Sequence, residues 1–556
     1  MFAIIRSQLQ EMVEASVRSL GQLPAYPAVT LEPPAYREHG DLACNVALQL
    51  SKTLRKSPLD IAGDIKKYME EVLPDSVLQG KLASIEVVKP GFINFRLSPA
   101  AYYEILKDIL QKRETFGRTN LGRGKRVLVE FVSANPTGPL TVAHARQAAV
   151  GDVLVNVLNF TGHHAEREFY VNDGGNQIRT LGLSVQLRAR ELLGEKVEYP
   201  EDCYQGDYIR EMARILLDDR RVSSLEGLQS ISFEDFCNFA KDYLMDVIRE
   251  DLRIFRVEFD NWTFESDVAG PDRIAQTLAE LQEKGFIYEK DGALWFQSTR
   301  FGDDKDRVVK KSDGFYTYLA PDIVYHKHKY DRGFDLLVDI LGPDHHGYIP
   351  RIKAAAQALG KDVTALEGLI IQLATIFRDG KQLRMSTRAG EFISLREVAQ
   401  EVGTDAGRYF MLMRQVSQQL EFDIDLAKKQ APENPVYYIQ YAHARIHSIL
   451  RKAREEAGLE PAADFLQLND EAELELIRRL AAFPDFLNIC AQQLDPAALP
   501  RYMQDLAATF HKFYDRCRVL DVEPALAVER LALCDATRIV LANGLRILGL
   551  TAPEHM

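Results

Sequence analysis

RVLVEFVSANPTGPLTVAHARQAAVGDVLVNVLNFTG, residues 126–162, changes character twice. VLVEFV at 127–132 is apolar and β-branched over a length suited to a buried strand. Ser133-Ala134-Asn135-Pro136-Thr137-Gly138-Pro139 follows, and its prolines and glycine exclude a helix interior or a central strand. From about His144, residues Ala148, Val150, Val153, Leu154, Val157 and Leu158 recur at helical spacing, and Gly162 lies just past the expected end. Strand, rigid loop and helix make the half-unit of an open parallel sheet, where phosphates are held at the helix N-terminus. His144 stands at that terminus. On pattern alone, a βα unit of any α/β enzyme fits equally well.

Outside this stretch the totals set bounds. A chain of 556 residues exceeds a single hydrophobic core and divides into about three or four domains. Apolar content of 46% and charged content of 27% predict a soluble globular protein. No apolar run has the length of a membrane span, and MFAIIRSQLQEMVEASVRSL mixes charges into a helical pattern, unlike the apolar core of a signal peptide. No membrane association and a cytoplasmic location are expected. The cysteines Cys44, Cys203, Cys237, Cys490, Cys517 and Cys534 form no CxxC pair, which argues against a zinc ribbon or a disulfide framework and fits a reducing compartment. A net charge of −13 argues against blanket electrostatic binding of nucleic acid but leaves room for a local basic groove.

Working outward, the N-terminal region reads as a small α/β domain. Gly40-Asp41 leads into a predicted helix with Leu42, Val46 and Leu50 on its buried face, and ASIEVVKPGFINFRLS carries a hairpin signal around Pro90-Gly91. Lys52, Arg55 and Lys56 line a basic helix face, a pattern that a solvated surface explains as readily as a phosphate backbone. Beyond residue 162, Asp173-Gly174-Gly175-Asn176 sits where a sheet strand delivers its C-terminal end. Residues of about 180–300 read as largely amphipathic helix, an insertion or cap without evident chemistry.

Chemistry returns at residues 335–341, a predicted strand ending in Gly342-Pro343-Asp344-His345-His346-Gly347. The paired histidines lack a third ligand at helical spacing, and hydrogen bonding to a nucleotide or substrate serves equally well, so no metal site is assigned. GLIIQLATIF reads as one strand, and RDGKQLRMSTRAGEF as a basic loop in which Lys381, Arg384 and Arg388 suit polyphosphate. From about residue 426 the pattern is helix upon helix, an all-α bundle. Within it Tyr437, Gln440, Tyr441 and Arg445 combine aromatic faces with polar groups suited to bases, although such residues also pack between helices.

Taken together these blocks resemble the arginyl-tRNA synthetases, class I aminoacyl-tRNA synthetases, of bacterial type. HGDLACNVAL and GFINFRLS resemble the family's N-terminal tRNA-binding domain, and SANPTGPLTVAHARQAAVGD its HIGH segment. DGGNQI, TYLAPDIVYHKHK and GPDHHGY resemble catalytic blocks, LRMSTRAGEF the KMSKS loop, and NPVYYIQYAHAR the anticodon-binding domain. The resemblance implies a multidomain α/β protein. Its parts are an N-terminal tRNA-binding α+β domain at 1–112 and a Rossmann-like parallel-sheet catalytic domain at 113–425 with the helical insertion. An all-α anticodon-binding domain at 426–556 completes it.

It further implies ATP-dependent ligation of L-arginine to its tRNA through arginyl-adenylate, by a monomer using ATP with magnesium. The catalytic candidates are Thr141, His144, Arg384, Met385, Ser386 and Arg388. Pro139, Thr141, Ala143, His144, Gly342, Asp344, His345 and Lys381 are carried over to ATP. Glu130, Ser133, Asn135, Tyr318, Asp322 and His346 are carried over to arginine, whose guanidinium calls for carboxylates. Lys52, Arg55, Lys56, Tyr437, Gln440, Tyr441 and Arg445 are the tRNA candidates. The chain departs from the family at HIGH, which reads Thr141-Val142-Ala143-His144, and at Thr387, where KMSKS has its second lysine. Gly138 stands near the place where some members carry a compensating lysine, so Arg388, Arg384 or Lys381 inherit the phosphates. These departures motivate the alternative of a synthetase-like tRNA-binding protein impaired in catalysis.

Overall fold

The computed structural model describes residues 2–32, 34, 36–383, 393–462 and 467–556. Within it Arg126–Glu130 is a strand and Val142–Phe160 a helix, joined by the Pro-Gly loop. The helix opens two residues before His144 because Thr141 takes the N-cap position and donates its backbone N–H to His144 Nδ1 at 3.0 Å. Gly151 allows the helix to lie close on the sheet: a Cβ there would sit 2.2 Å from Phe131 Cγ.

Five parallel strands build the central sheet, in the order Leu366–Ile370, Leu336–Leu341, Arg126–Glu130, His164–Val171, Asn261–Phe264. The chain enters at the middle strand, adds two on one side, then crosses to the other. The C-terminal ends of Arg126–Glu130 and Leu336–Leu341 therefore flank the point where strand order reverses, the place where open α/β sheets bind ligands.

Three sequence expectations need correction. Residues 180–300 are not only a helical insertion: Gly175–Leu192, Asp207–Asp219 and Phe233–Ile254 pack around their own apolar core, but Asn261–Phe264 completes the main sheet, and Ile287–Lys290 and Ala293–Phe296 form an antiparallel sheet with Arg307–Lys310. The four residues NWTF are too few to show a period; their place is fixed by pairing with His164–Val171 and by Trp262 stacking on Phe169 at 4.6 Å. GLIIQLATIF is two strands in different sheets, Leu366–Ile370 and Ala374–Arg378, the second paired with Lys381–Gln382 through an Asp379-Gly380 turn and with Leu420–Asp423. Leu42 lies in a strand, Leu42–Cys44, and the helix carrying Val46 and Leu50 starts only at Val46.

That strand joins Leu82–Val88 and Phe92–Leu97, the expected hairpin, in the N-terminal sheet. Among the described residues no strand follows Leu420–Asp423. The C-terminal part is built on Pro435–Ala457, Glu471–Ala481, Phe483–Gln493, Ala498–Arg516 and Pro524–Ile547. It docks on both other parts. Arg6 pairs with Asp485 through two hydrogen bonds of 2.9 and 2.7 Å, and Arg478 Nε donates to Asp41 Oδ1 at 2.8 Å.

Candidate active site

A cavity of about 750 Å³ opens at the strand-order reversal, lined by residues from both flanking strands, the 133–135 loop, the start of the Val142–Phe160 helix and the Leu319–Asp331 helix. Strand register sets its floor. Glu130 is level with Asp339 on one side and Glu168 on the other, so three carboxylates stand side by side across the sheet. Glu168 and Asp339 are buried, and like charges so placed need cations.

The Leu319–Asp331 helix provides them. Asp322, Tyr325, His326 and Lys329 fall at i, i+3, i+4 and i+7, one face of that helix. Lys329, fully buried, donates to Asp339 Oδ1 at 2.7 Å and also to Glu130. His326 Nε2 lies 2.9 Å from Asp339 Oδ2, Arg332 pairs with Glu168, and the Tyr325 hydroxyl lies 2.9 Å from Glu130 Oε2 and 2.7 Å from Glu168 Oε1. Beside these cations the Asp339 carboxyl is held well below the usual range despite its burial, and the Lys329 ammonium well above its usual value.

One turn earlier, Asp322 faces the cavity. Among the described residues its carboxylate has no hydrogen-bond donor. Burial raises its pKa to about 7, with Glu265 and Glu130 adding to the rise and His326 and Lys329 opposing it. Glu265, at the end of the edge strand, is likewise raised by burial while accepting from the Tyr170 hydroxyl at 2.9 Å. A cavity wall with this surplus of carboxylate suits a cationic ligand.

Another part of the lining suits an anion. Burial lowers His144 to about 4, so its ring is neutral near pH 7. Because Nδ1 accepts from the Thr141 N–H, the ring proton sits on Nε2, and the histidine offers a donor at a helix N-terminus. Ala143, Gln147, Gly342, Asp344, His345 and Arg351 also line the cavity, while Tyr348 lies by the carboxylates: burial first, then the charges of Asp322, Asp339 and Glu130, raise the pKa of its hydroxyl.

Residues 105–420 match the tRNA synthetases class I (R) catalytic domain, residues 5–97 the arginyl tRNA synthetase N terminal domain, and residues 439–556 the DALR anticodon binding domain. The arginine–tRNA ligase of Desulfosudis oleivorans is 46% identical over 99% of this chain and 100% of its own length. That of Bacillus subtilis is 44% identical over 99% of each. The chain belongs to the arginyl-tRNA synthetases. The Thermus thermophilus arginyl-tRNA synthetase shares its fold, with a TM-score of 0.76 over 99% of this chain and 100% of that one at 23% identity.

Of the residues singled out in this synthetase's sequence, Glu130, Ser133, Asn135, Tyr318, Asp322, Ala143, His144, Gly342, Asp344 and His345 line the one cavity. Ser133 donates to Glu130 Oε1 at 2.8 Å, and Asn135 to Gln177 Oε1 at 2.7 Å. Four others stand off it. Pro139 and Thr141 are not part of the lining, although the Thr141 backbone N–H holds His144; His346 is exposed beyond the turn that delivers His345; Lys381 is exposed on its hairpin. Arg384, Met385, Ser386 and Arg388, with Thr387, lie outside the described residues.

Among the tRNA candidates, Gln440 is corrected. It is buried, and its amide donates to Asp405 Oδ2 at 2.7 Å and to the Thr551 carbonyl at 3.0 Å, a tether between helices. Tyr437 and Tyr441 stack with ring centroids 6.3 Å apart, and Arg445 lies 4.2 Å over Tyr514. Lys52 and Arg55 are exposed, whereas Lys56 is paired with Asp64. Sequence reasoning missed Gln147, Tyr170, Glu265, Tyr348 and Arg351. Gln147 and Arg351 were within reach of it, lying three residues after His144 and four after Gly347 on helices whose starts were flagged; Glu265 followed a strand that had no visible pattern.

Proposed function

We propose that this arginyl-tRNA synthetase joins L-arginine to its tRNA in two ATP-dependent steps, and that the acidic wall around Asp322 is the arginine side of the cavity. The observation that carries the reading is an Asp322 carboxylate without a hydrogen-bond partner among the described residues, under the charge of Glu130 and Glu265, in a cavity that is also lined by a neutral His144 at a helix N-terminus. In the first step an arginine carboxylate oxygen attacks the α-phosphorus of ATP, and the bond from that phosphorus to the β-phosphate bridge breaks, releasing pyrophosphate. In the second, the 2′-hydroxyl of the terminal tRNA ribose attacks the acyl carbon and AMP leaves.

Asp322 receives the guanidinium, with Tyr318 beside it. Glu130, already held by Ser133, Tyr325 and Lys329, acts as a fixed charge that orients its neighbours rather than as the direct partner. Ser133 and Asn135 meet the α-amino and carboxylate end. His144 Nε2–H donates to a phosphate oxygen as charge builds there, with Arg384, Ser386 and Arg388 as the further phosphate contacts. Asp344 and His345 border the adenosine. Magnesium enters with the ATP phosphates. The enzyme works as a monomer in the cytoplasm, and Tyr437, Tyr441 and Arg445 with Lys52 and Arg55 contact the tRNA.

No observation favours the catalytically impaired alternative. The test is charging of arginine tRNA with each amino acid in turn, for the wild type and for Asp322→Asn. Arginine alone should be accepted, and the variant should lose arginine affinity by at least about tenfold, the scale of a charge-assisted contact, with ATP affinity kept. Charging with another amino acid, or unchanged arginine kinetics in the variant, overturns the assignment.

A further inference from the structure

The nucleotide wall of the cavity contains polar atoms with nothing to bind. Arg351 Nε and Gln147 Oε1 are both buried and without a hydrogen-bond partner among the described residues. Buried polar groups in native proteins are nearly always satisfied, so two residues of one cavity lining that each keep an unpaired polar atom are candidates for ligand contact.

Charge narrows the ligand. Two arginines line the cavity, Arg307 and Arg351. Arg307 is committed, with Nε 2.8 Å from Asp303 Oδ2 and a second contact to Asp304. Arg351 has no ion pair among the described residues. It lies in the Tyr348–Ala358 helix, and its guanidinium folds back toward the start of that helix: a Cβ built on Gly347 would be 3.1 Å from Arg351 Nη2. Glycine at 347 therefore leaves the space the guanidinium occupies. Arg351 lines the same cavity as Asp344, His345 and His144.

We infer that Arg351 is a nucleotide-binding residue of this synthetase, placing its guanidinium on the phosphate oxygens of ATP and of the adenylate formed from it. The inference rests on the reading of this cavity as the arginine and ATP site. It adds a permanent cation to a lining whose His144 is neutral, in a chain that has Thr141 and Thr387 at two positions where its family's motifs carry histidine and lysine. A planar fork matches phosphate oxygens two at a time, and its charge does not titrate near neutral pH.

The experiment measures tRNA charging by the full-length enzyme with ATP, arginine and tRNA varied separately, for the wild type, Arg351→Lys, Arg351→Gln and Asp322→Asn. Arg351→Gln should raise the KM for ATP at least tenfold and lower kcat, leaving the KM values for arginine and tRNA within twofold. Arg351→Lys should recover part of the loss, because the charge remains and the fork does not. Thermal midpoints without ligand should match the wild type, which excludes a merely structural role. An unchanged ATP KM in Arg351→Gln overturns the inference, as does a rise confined to the tRNA KM, which would put the residue on the tRNA 3′ end. Failure of the cavity reading is separately visible: Asp322→Asn would then leave the arginine KM unchanged.

Discussion

Asp322 shows how a single side chain is tuned by what its neighbours already hold. Lys329 is spent on Glu130 and Asp339, and Tyr170 on Glu265, whereas Asp322 accepts no hydrogen bond among the described residues, at a pKa raised to about 7 by burial and by the two glutamates. The sign of the pH effect follows directly. Below the raised pKa the carboxyl is protonated and cannot pair with a guanidinium, which stays charged throughout; above it the carboxylate is available. From pH 8 to pH 6 the ionised fraction falls about tenfold, so the dissociation constant for arginine should rise by about that factor. Calorimetric titration of arginine across this window checks it, and Asp322→Asn should bind more weakly and without the pH slope; a flat wild-type profile rules out Asp322 as the partner. That Tyr318 and Asp322 share one cavity was legible from the family resemblance of TYLAPDIVYHKHK. That Asp322 would be the open carboxylate was not, because it depends on a lysine seven residues on reaching two strands that are distant in sequence.

Between elements, the helical insertion proves to hold the arginine loop in shape. Val132 and Ser133 take successive positive φ values of 66° and 40°, a conformation that costs a β-branched residue roughly 1–2 kcal/mol and persists only where its surroundings impose it. The surroundings are visible. The Ser133 hydroxyl bridges Glu130 and the Tyr170 N–H, and Tyr208, from the insertion, donates to the Thr137 carbonyl at 2.8 Å. Tyr208→Phe removes one hydrogen bond and keeps the ring, so we expect a loss of about 1 kcal/mol to appear as a roughly fivefold rise in the arginine KM with the thermal midpoint nearly unchanged. An arginine KM equal to the wild type would show that the loop holds its shape unaided. The strand–loop–helix was readable because its apolar spacing and its prolines are local signals. The contribution of residues 180–300 was not, since it reaches the site through Tyr208 and a four-residue edge strand, neither of which carries a periodic pattern.

Across the whole molecule, the catalytic and helical parts are joined at a residue that the sequence gives no reason to notice. Arg408 is fully buried; it donates to Asp152 Oδ2 at 2.5 Å, to the Phe255 carbonyl at 2.8 Å and to the Leu548 carbonyl at 3.2 Å. One guanidinium thus ties the helix that carries His144, the end of the insertion, and the C-terminal helix of the tRNA-binding bundle. Domain order was legible because strand-rich and helix-only stretches differ in composition over tens of residues, but the tie between them is three contacts to backbone and carboxylate separated by more than a hundred positions. Removing it by Arg408→Met leaves Asp152 with Arg167 and a long contact from Asn156, and takes a donor from the carbonyls of Phe255, Arg256 and Leu548. Breaking a buried pair of this kind costs about 3–5 kcal/mol, against about 0–1 kcal/mol for an exposed pair. The contrast is available within the same protein, since Arg516, 62% exposed, pairs with Asp470 at 3.0 Å. Arg408→Met should lower the unfolding midpoint in urea and let the helical part unfold ahead of the sheet, whereas Arg516→Met should leave a wild-type curve. If both variants unfold like the wild type, the two parts are held by apolar packing alone. A second transition in Arg408→Met alone means that this one buried cation is what makes the tRNA-binding and catalytic parts behave as a unit.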